Sequence, residues 1–246
     1  MKIFTTAARA VAFAGVALTA LTTAGSAGTI TGGALLDDAG ATQLETWLGF
    51  GDLDFTSVWY GTTGATAASF HAAADGAGPT ISIYDMILTN GDRVKIGGYT
   101  TASWAGNTYK FDAAAFIFNL TTGEMQEQIN GIYYGFYSIY AGVSYFPTFG
   151  GGHDIYGGAG TLGGNSAYTY SYTYDHTQGQ IGYAGDTGAY AGDSGYSYYG
   201  HTVNALDVYT FAAAAPPTAT IPLPATGLML FGALGGIGAL RLRHKA

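Results

Sequence analysis

The densest chemistry in this chain sits in one pentapeptide, Gly150-Gly151-Gly152-His153-Asp154. Histidine titrates near neutrality and a carboxylate beside it can orient the ring, so the pair invites a general-base reading. Adjacent side chains on an extended strand point to opposite faces, however, so His153 and Asp154 do not form a dyad on their own. The three glycines read instead as positions of positive φ or close backbone packing, with His153 bonded to a nearby backbone group. His71, on an alanine-rich segment, reads as a packed histidine with a satisfied hydrogen bond. The internal histidines His71, His153, His176 and His201 show no H-x-x-x-H spacing, the spacing that aims two imidazoles at one metal. Asp186 and Asp193 sit in two Ala-Gly-Asp-x-Gly units, 184–188 and 191–195. Such turns take Ca²⁺ when several oxygens converge, but this repeat matches neither the EF-hand nor the nonapeptide roll. Cysteine is absent, which excludes thiolate nucleophiles, thiolate metal sites and disulfide staples. There is neither a phosphate loop nor a G-x-S-x-G elbow. The residues therefore predict no catalytic centre, no metal and no cofactor.

Tyrosine is the more suggestive side chain. Tyr168, Tyr170, Tyr172 and Tyr174 alternate strictly with Thr169, Ser171 and Thr173. An extended segment puts the four rings on one face. Rings that bury area and still hydrogen-bond suit contact with a sugar or polymer. The plainer possibility is a strand whose tyrosines cover the domain.

The charges lie in a telling order. Of eight basic residues, five sit near the ends, at Lys2, Arg9, Arg241, Arg243 and Lys245. All sixteen acids fall between Asp37 and Asp207. The middle thus carries three basic against sixteen acidic residues, a formal charge of −13 with histidine neutral. That balance argues against nucleic acid, which needs clustered cations for its phosphates. Residues 1–27 read as a secretory signal peptide: Lys2 and Arg9, a short apolar run over 10–21, then Gly25-Ser26-Ala27 for cleavage after Ala27. At the other end a Pro/Ala linker, 212–220, leads into a tail over 221–246. The tail opens on Ile221-Pro222-Leu223-Pro224-Ala225, continues in an apolar segment over 226–240 and closes on the basic residues. This order resembles the PEP-CTERM class of sorting signals in its VPLPA variant. The resemblance implies a Gram-negative host and processing by an exosortase, a membrane-embedded transpeptidase. The basic end would hold the C-terminus in the cytoplasm while 226–240 passes transiently through the inner membrane. The alternative is a permanent anchor, for which the apolar stretch is short against the ~20 residues usually needed.

These features must be carried by one domain over 28–211, long enough for a sizeable core without staples. Thr42-Gln43-Leu44-Glu45 matches a capping box, with Leu44, Trp47 and Leu48 on one helical face and Gly49 at the stop. A second short helix is predicted over 65–74, ended by Asp75-Gly76. Strands follow: 80–88 with Ile81 and Ile83 on one face, the turn Asn90-Gly91-Asp92, and 94–99, together a hairpin. The segment 113–120 is apolar on both faces and reads as a central strand, 125–129 as the next, and 203–211 as the last. Helices followed by local hairpins predict an α+β fold, antiparallel, with two packed sheets.

Several of these stretches together resemble the TLDc domain. They are Ser69-Phe70-His71 with the turn over 75–80, Ile96-Gly97-Gly98-Tyr99-Thr100 with Ser103-Trp104, and the apolar run 115–120. They continue with Pro147-Thr148-Phe149 leading into Gly150-Gly151-Gly152-His153-Asp154-Ile155-Tyr156, and end on Ala205-Leu206-Asp207-Val208-Tyr209. They occur in family order across about 44–211. The resemblance implies a two-sheet β-sandwich flanked by short helices, in a family tied to oxidative-stress protection and to the vacuolar proton pump, without established catalytic residues. Where members often carry Cys this chain has Ala74, so no thiol role transfers, and export removes the pump from reach. The Tyr/Gly-rich stretch 157–199 exceeds the family pattern. The expectation is an exported envelope or extracellular-matrix protein, not an enzyme, whose partners are an exosortase-type enzyme and a neutral exopolysaccharide. The alternatives are a secreted hydrolase using His153 or a Tyr-rich polysaccharide-binding adhesin.

Overall fold

A computed structural model describes residues 28–128, 137–170, 173–174 and 200–216. The signal segment, the sorting motif Ile221–Ala225, the apolar stretch 226–240, Tyr172, His176 and both Ala-Gly-Asp-x-Gly units lie outside the described residues. No helix among the described residues is long and apolar enough to cross a membrane.

The fold is α+β. The elements run β1 (Ile30–Thr31), α1 (Asp38–Leu48), β2 (Leu53–Thr62), α2 (Ala67–Ala74), β3 (Thr80–Ile87), β4 (Arg93–Thr100) and β5 (Thr108–Lys110). They continue β6 (Phe116–Asn119), β7 (Glu124–Glu127), β8 (Ile139–Ala141), β9 (Ile155–Tyr156), β10 (Tyr168–Thr169) and β11 (Thr202–Ala213). Seven strands form one sheet in the order β1-β2-β11-β3-β4-β6-β7, antiparallel except for the β1–β2 pair. Two ribbons, β5–β8 and β9–β10, form the second layer.

Period-two patterning explains why the large sheet is covered on both sides. Ile81 and Ile83 of β3 face a core shared with Leu35, Leu44, Phe55, Tyr99, Phe118 and Tyr209, under α1. Tyr84 and Met86 of the same strand face the opposite core, with Phe70 of α2 and Trp104, Ile139, Phe149 and Ile155. The ribbons and α2 therefore share one face of the sheet, and α1 has the other. Trp104, Phe116, Phe118, Phe149 and Val208 are all buried.

Several boundaries differ from those the sequence predicts. Helix α1 starts earlier: Asp37 is its N-cap, accepting from the Gly40 amide at 2.9 Å. Thr42 is interior, its hydroxyl donating to the Asp38 carbonyl, and Glu45 accepts from the Leu53 amide instead of closing a capping box. An aspartate two residues before a run of small residues was the stronger cap. Gly49 ends the helix at φ 70°, in the left-handed region. Helix α2 begins at Ala67 behind the N-cap Thr66. Strand β2 was not predicted, since the polar pair Thr56-Ser57 breaks the apolar alternation. β6 is not central; it is second from the edge, covered by β7. The middle positions go to β3 and to β11, which returns from the end of the domain to insert between β2 and β3.

Candidate functional site

The Gly-Gly-Gly-His-Asp segment is a turn, not a strand. Gly150 and Gly152 have φ of 84° and 95°, and His153 follows at 71°, a positive φ found among the described residues in no other side-chain-bearing position. A Cβ on Gly150 would fall 1.6 Å from an Asp154 carboxylate oxygen. The missing side chain thus makes room for that carboxylate inside the turn. Asp154 is fully buried and accepts from the Thr173 amide and the Tyr174 amide, both at 2.9 Å. It is a backbone clamp on Thr173 and Tyr174. A Cβ on Gly151 would meet Tyr137 at 2.8 Å.

His153 does not make the backbone hydrogen bond expected of its ring. Its Nδ1 is buried without a geometrically sound partner, although the Gly150 backbone lies close enough to favour the protonated ring a little. Burial outweighs that and lowers the imidazole below its ordinary 6.5. The aromatic rings around it among the described residues are all tyrosines. The ring lies nearly parallel to Tyr156 (5.5 Å between centroids, 20°) and to Tyr109 (6.1 Å, 24°), with Tyr140, Tyr145 and Tyr168 at 5.6, 6.0 and 6.2 Å.

These tyrosines come from the two ribbons by the same device. Tyr109 of β5 is the cross-strand partner of Tyr140 of β8, and Tyr156 of β9 that of Tyr168 of β10. Ile139, Ala141, Ile155 and Ala167 beside them are buried, so alternation sends the phenols outward. Tyr145 bridges the pairs, and Tyr137 extends the row. Successive centroids from Tyr137 through Tyr109, Tyr140, Tyr145 and Tyr156 to Tyr168 lie 4.7, 4.8, 5.3, 5.2 and 4.9 Å apart. The arc has His153 as its hub. Each tyrosine is half-buried apart from the exposed Tyr137. Burial raises the Tyr109 phenol above its ordinary value, opposed by a hydrogen bond from the Gly152 backbone and aided by the neighbouring phenols.

His71 holds the arc from beneath. On α2, its Nδ1 lies 2.7 Å from Asp75, and its Nε2 lies 3.0 Å from the carbonyls of both Gly142 and Tyr145. The loop bearing Tyr145 is thereby tied to the helix.

Of the predicted face, Tyr172 lies outside the described residues, and Tyr168, Tyr170 and Tyr174 do not form one exposed row. The strand stops after Thr169. Tyr174 is wholly buried, its hydroxyl donating to the Ser138 carbonyl at 2.8 Å, and burial pushes its phenol well up. The Asp154 clamp draws Thr173 and Tyr174 inward. Tyr170 is half-buried, and Tyr168 belongs to the arc. The sequence reading missed Tyr109, Tyr137, Tyr140, Tyr145 and Tyr156. The available signal was Ile139-Tyr140-Ala141, Ile155-Tyr156 and Ala167-Tyr168-Thr169, short runs in which Tyr alternates with buried residues.

The remaining motif residues serve packing. Gly97 and Gly98 open opposite faces of β4: a Cβ on Gly97 would meet the Ser82 carbonyl at 1.9 Å, and one on Gly98 the Phe149 ring at 2.6 Å. Tyr99 packs against Phe116 and Phe211. Trp104 donates its indole N–H to the Thr80 hydroxyl at 2.9 Å. A cleft of about 690 Å³ beside α1 holds Arg93 and Lys95, but these pair with Asp85 and Asp37. Burial raises the Asp85 carboxyl, and the hydrogen bonds from Arg93 and Asn204 outweigh it, leaving the group below its ordinary value. No cluster of three potential metal ligands occurs among the described residues. No family model matches the chain, and no curated protein matches it.

Proposed function

We propose that the chain is an exported bacterial envelope or extracellular-matrix protein whose TLDc-like domain binds and does not catalyse, and that an exosortase-type enzyme processes its tail. The observation that carries the binding role is the tyrosine arc. Two ribbons each direct a cross-strand tyrosine pair outward, where a purely covering layer would place polar residues. Export rests on the terminal segments: the charged, apolar and small-residue order at 1–27, and Ile221-Pro222-Leu223-Pro224-Ala225 ahead of an apolar stretch and a basic end.

The rival reading, a hydrolase using His153, draws on the strain at that residue and on its neutral ring, two properties of catalytic bases. Among the described residues no carboxylate orients its ring. The rings around His153 are phenols, and Asp154 is spent on backbone amides. The full chain, offered panels of glycan, ester and peptide substrates, is expected to turn none over and to co-sediment with washed extracellular matrix of its host. Turnover that disappears in His153→Ala would establish the hydrolase instead.

A further inference from the structure

We propose that the tyrosine arc around His153 is the binding face for a neutral polysaccharide. The inference rests on the interaction-domain reading and names its ligand class and its residues. Three observations converge on it.

The first is continuity. Six tyrosine rings follow one another at centroid steps of 4.7 to 5.3 Å from Tyr137 to Tyr168. A row of that length exceeds one sugar ring and suits a chain of them. A pyranose offers an apolar face of C–H groups and a rim of hydroxyls. Tyrosine meets both, with its ring for the face and a phenol that donates and accepts for the rim.

The second is the hub. His153 is kept at φ 71°, a conformation that a β-carbon resists and that persists only where the surroundings enforce it. What it achieves is placement: the imidazole lies nearly parallel to Tyr109 of one ribbon and Tyr156 of the other, locking two short ribbons into one surface. A preformed surface loses less freedom when a flexible polymer settles on it.

The third is charge. Lys110, next to Tyr109 in β5, spends its ammonium on the carbonyls of Ser103 and Ala105. The acidic domain repels polyanions. A cationic ligand would call for rings that enclose it, whereas these rings pack tilted or edge-on against one another, with Tyr109 and Tyr156 stacked on the imidazole. A neutral chain is what remains. Each contact is weak, and many copies on a surface would strengthen the hold by avidity.

The test is affinity electrophoresis of the full chain in gels containing hydroxyethylcellulose, galactomannan or dextran, with alginate and glycol chitosan as charged comparators. Retardation is expected in at least one neutral polymer, equally at low and high salt. Tyr145→Ala/Tyr156→Ala should weaken it by about tenfold or more, and Phe50→Ala/Phe111→Ala, exposed aromatics elsewhere, should leave it unchanged. Near-UV circular dichroism checks folding. If the double variant is unfolded, Tyr137→Ala, an exposed ring at the end of the row, decides by a loss of several-fold. Migration unaffected by every neutral polymer overturns the proposal, as does retardation by the charged polymers alone or equal retention of folded variants. Co-sedimentation with host matrix separates the two levels. Matrix binding that survives Tyr145→Ala/Tyr156→Ala removes the arc and leaves the interaction role, whereas wild-type protein that ignores the matrix removes both.

Discussion

At the scale of single residues, His153 is where backbone and side chain make conflicting demands. The turn over Gly150–Asp154 requires positive φ at three positions, and glycine meets it at two without cost. The third carries an imidazole because the ring joins the two ribbons. His153→Gly and His153→Ala both delete the ring, but only alanine keeps a β-carbon in the left-handed region. Denaturant unfolding should find His153→Gly the more stable of the two by ~0.5–1 kcal/mol; alanine equal to or better than glycine would mean that φ is not held. The same residue sets a pH dependence. Its folded-state pKa lies below the ordinary 6.5, so the unfolded chain takes up its proton first. Its share of the stability is whole above pH ~6.5 and is lost as pH falls through the folded value. His153→Asn tolerates the backbone and does not titrate. The stability difference between wild type and His153→Asn should stay flat above about pH 6.5 and shift against the wild type below it. Parallel curves down to pH 5 would refute this. The carboxylates held low by hydrogen bonds, Asp37, Asp85 and Asp112, act in a separate window below their ordinary 3.8 and are common to both proteins.

At the scale of elements, strand β4 decides how closely the layers approach. Gly97 admits the ring of Phe118 on one face and Gly98 that of Phe149 on the other. Phe118→Ala, at a fully buried site, should cost ~3–5 kcal/mol in chemical denaturation. A loss below ~1 kcal/mol would put that side chain at the surface. Gly97→Ala places a Cβ 1.9 Å from the Ser82 backbone carbonyl, which cannot move without disturbing β3. It should therefore destabilise by more than ~1–3 kcal/mol, the usual cost of overpacking. The pattern of legible and illegible elements follows from length. The hairpin β3–β4 could be read because eight residues a strand and an Asn-Gly turn give alternation room to show. The ribbons could not, since β9 and β10 have two residues each and no period fits in two residues. The candidate site suffered most from this. Tyr168 to Tyr174 alternate well enough to suggest a four-ring strand, yet the buried carboxylate of Asp154, distant in sequence, pulls Tyr174 into the core. That is a tertiary contact, and no local pattern announces it. The tyrosines that do assemble are scattered from Tyr109 to Tyr168 and meet only once the ribbons are laid side by side.

At the scale of the whole molecule, the proposed function separates addressing from binding. The positive charge is concentrated in the terminal segments and the acidic load in the domain between them. In the domain, β11 ends at Ala213, paired with Leu53 at the start of β2, and the Ala214 amide donates to the Asp52 carbonyl. The arc lies on the ribbon layer across the opposite face of the sheet from α1. An exported domain released from its tail would carry that face into the matrix. This is tested most directly by mass spectrometry of the protein recovered from the surface of its host. The mature chain is expected to begin at Gly28 and to yield no peptide beyond Thr226. Protein beginning at Met1, or ending in an intact Arg241–Ala246 terminus, would contradict it.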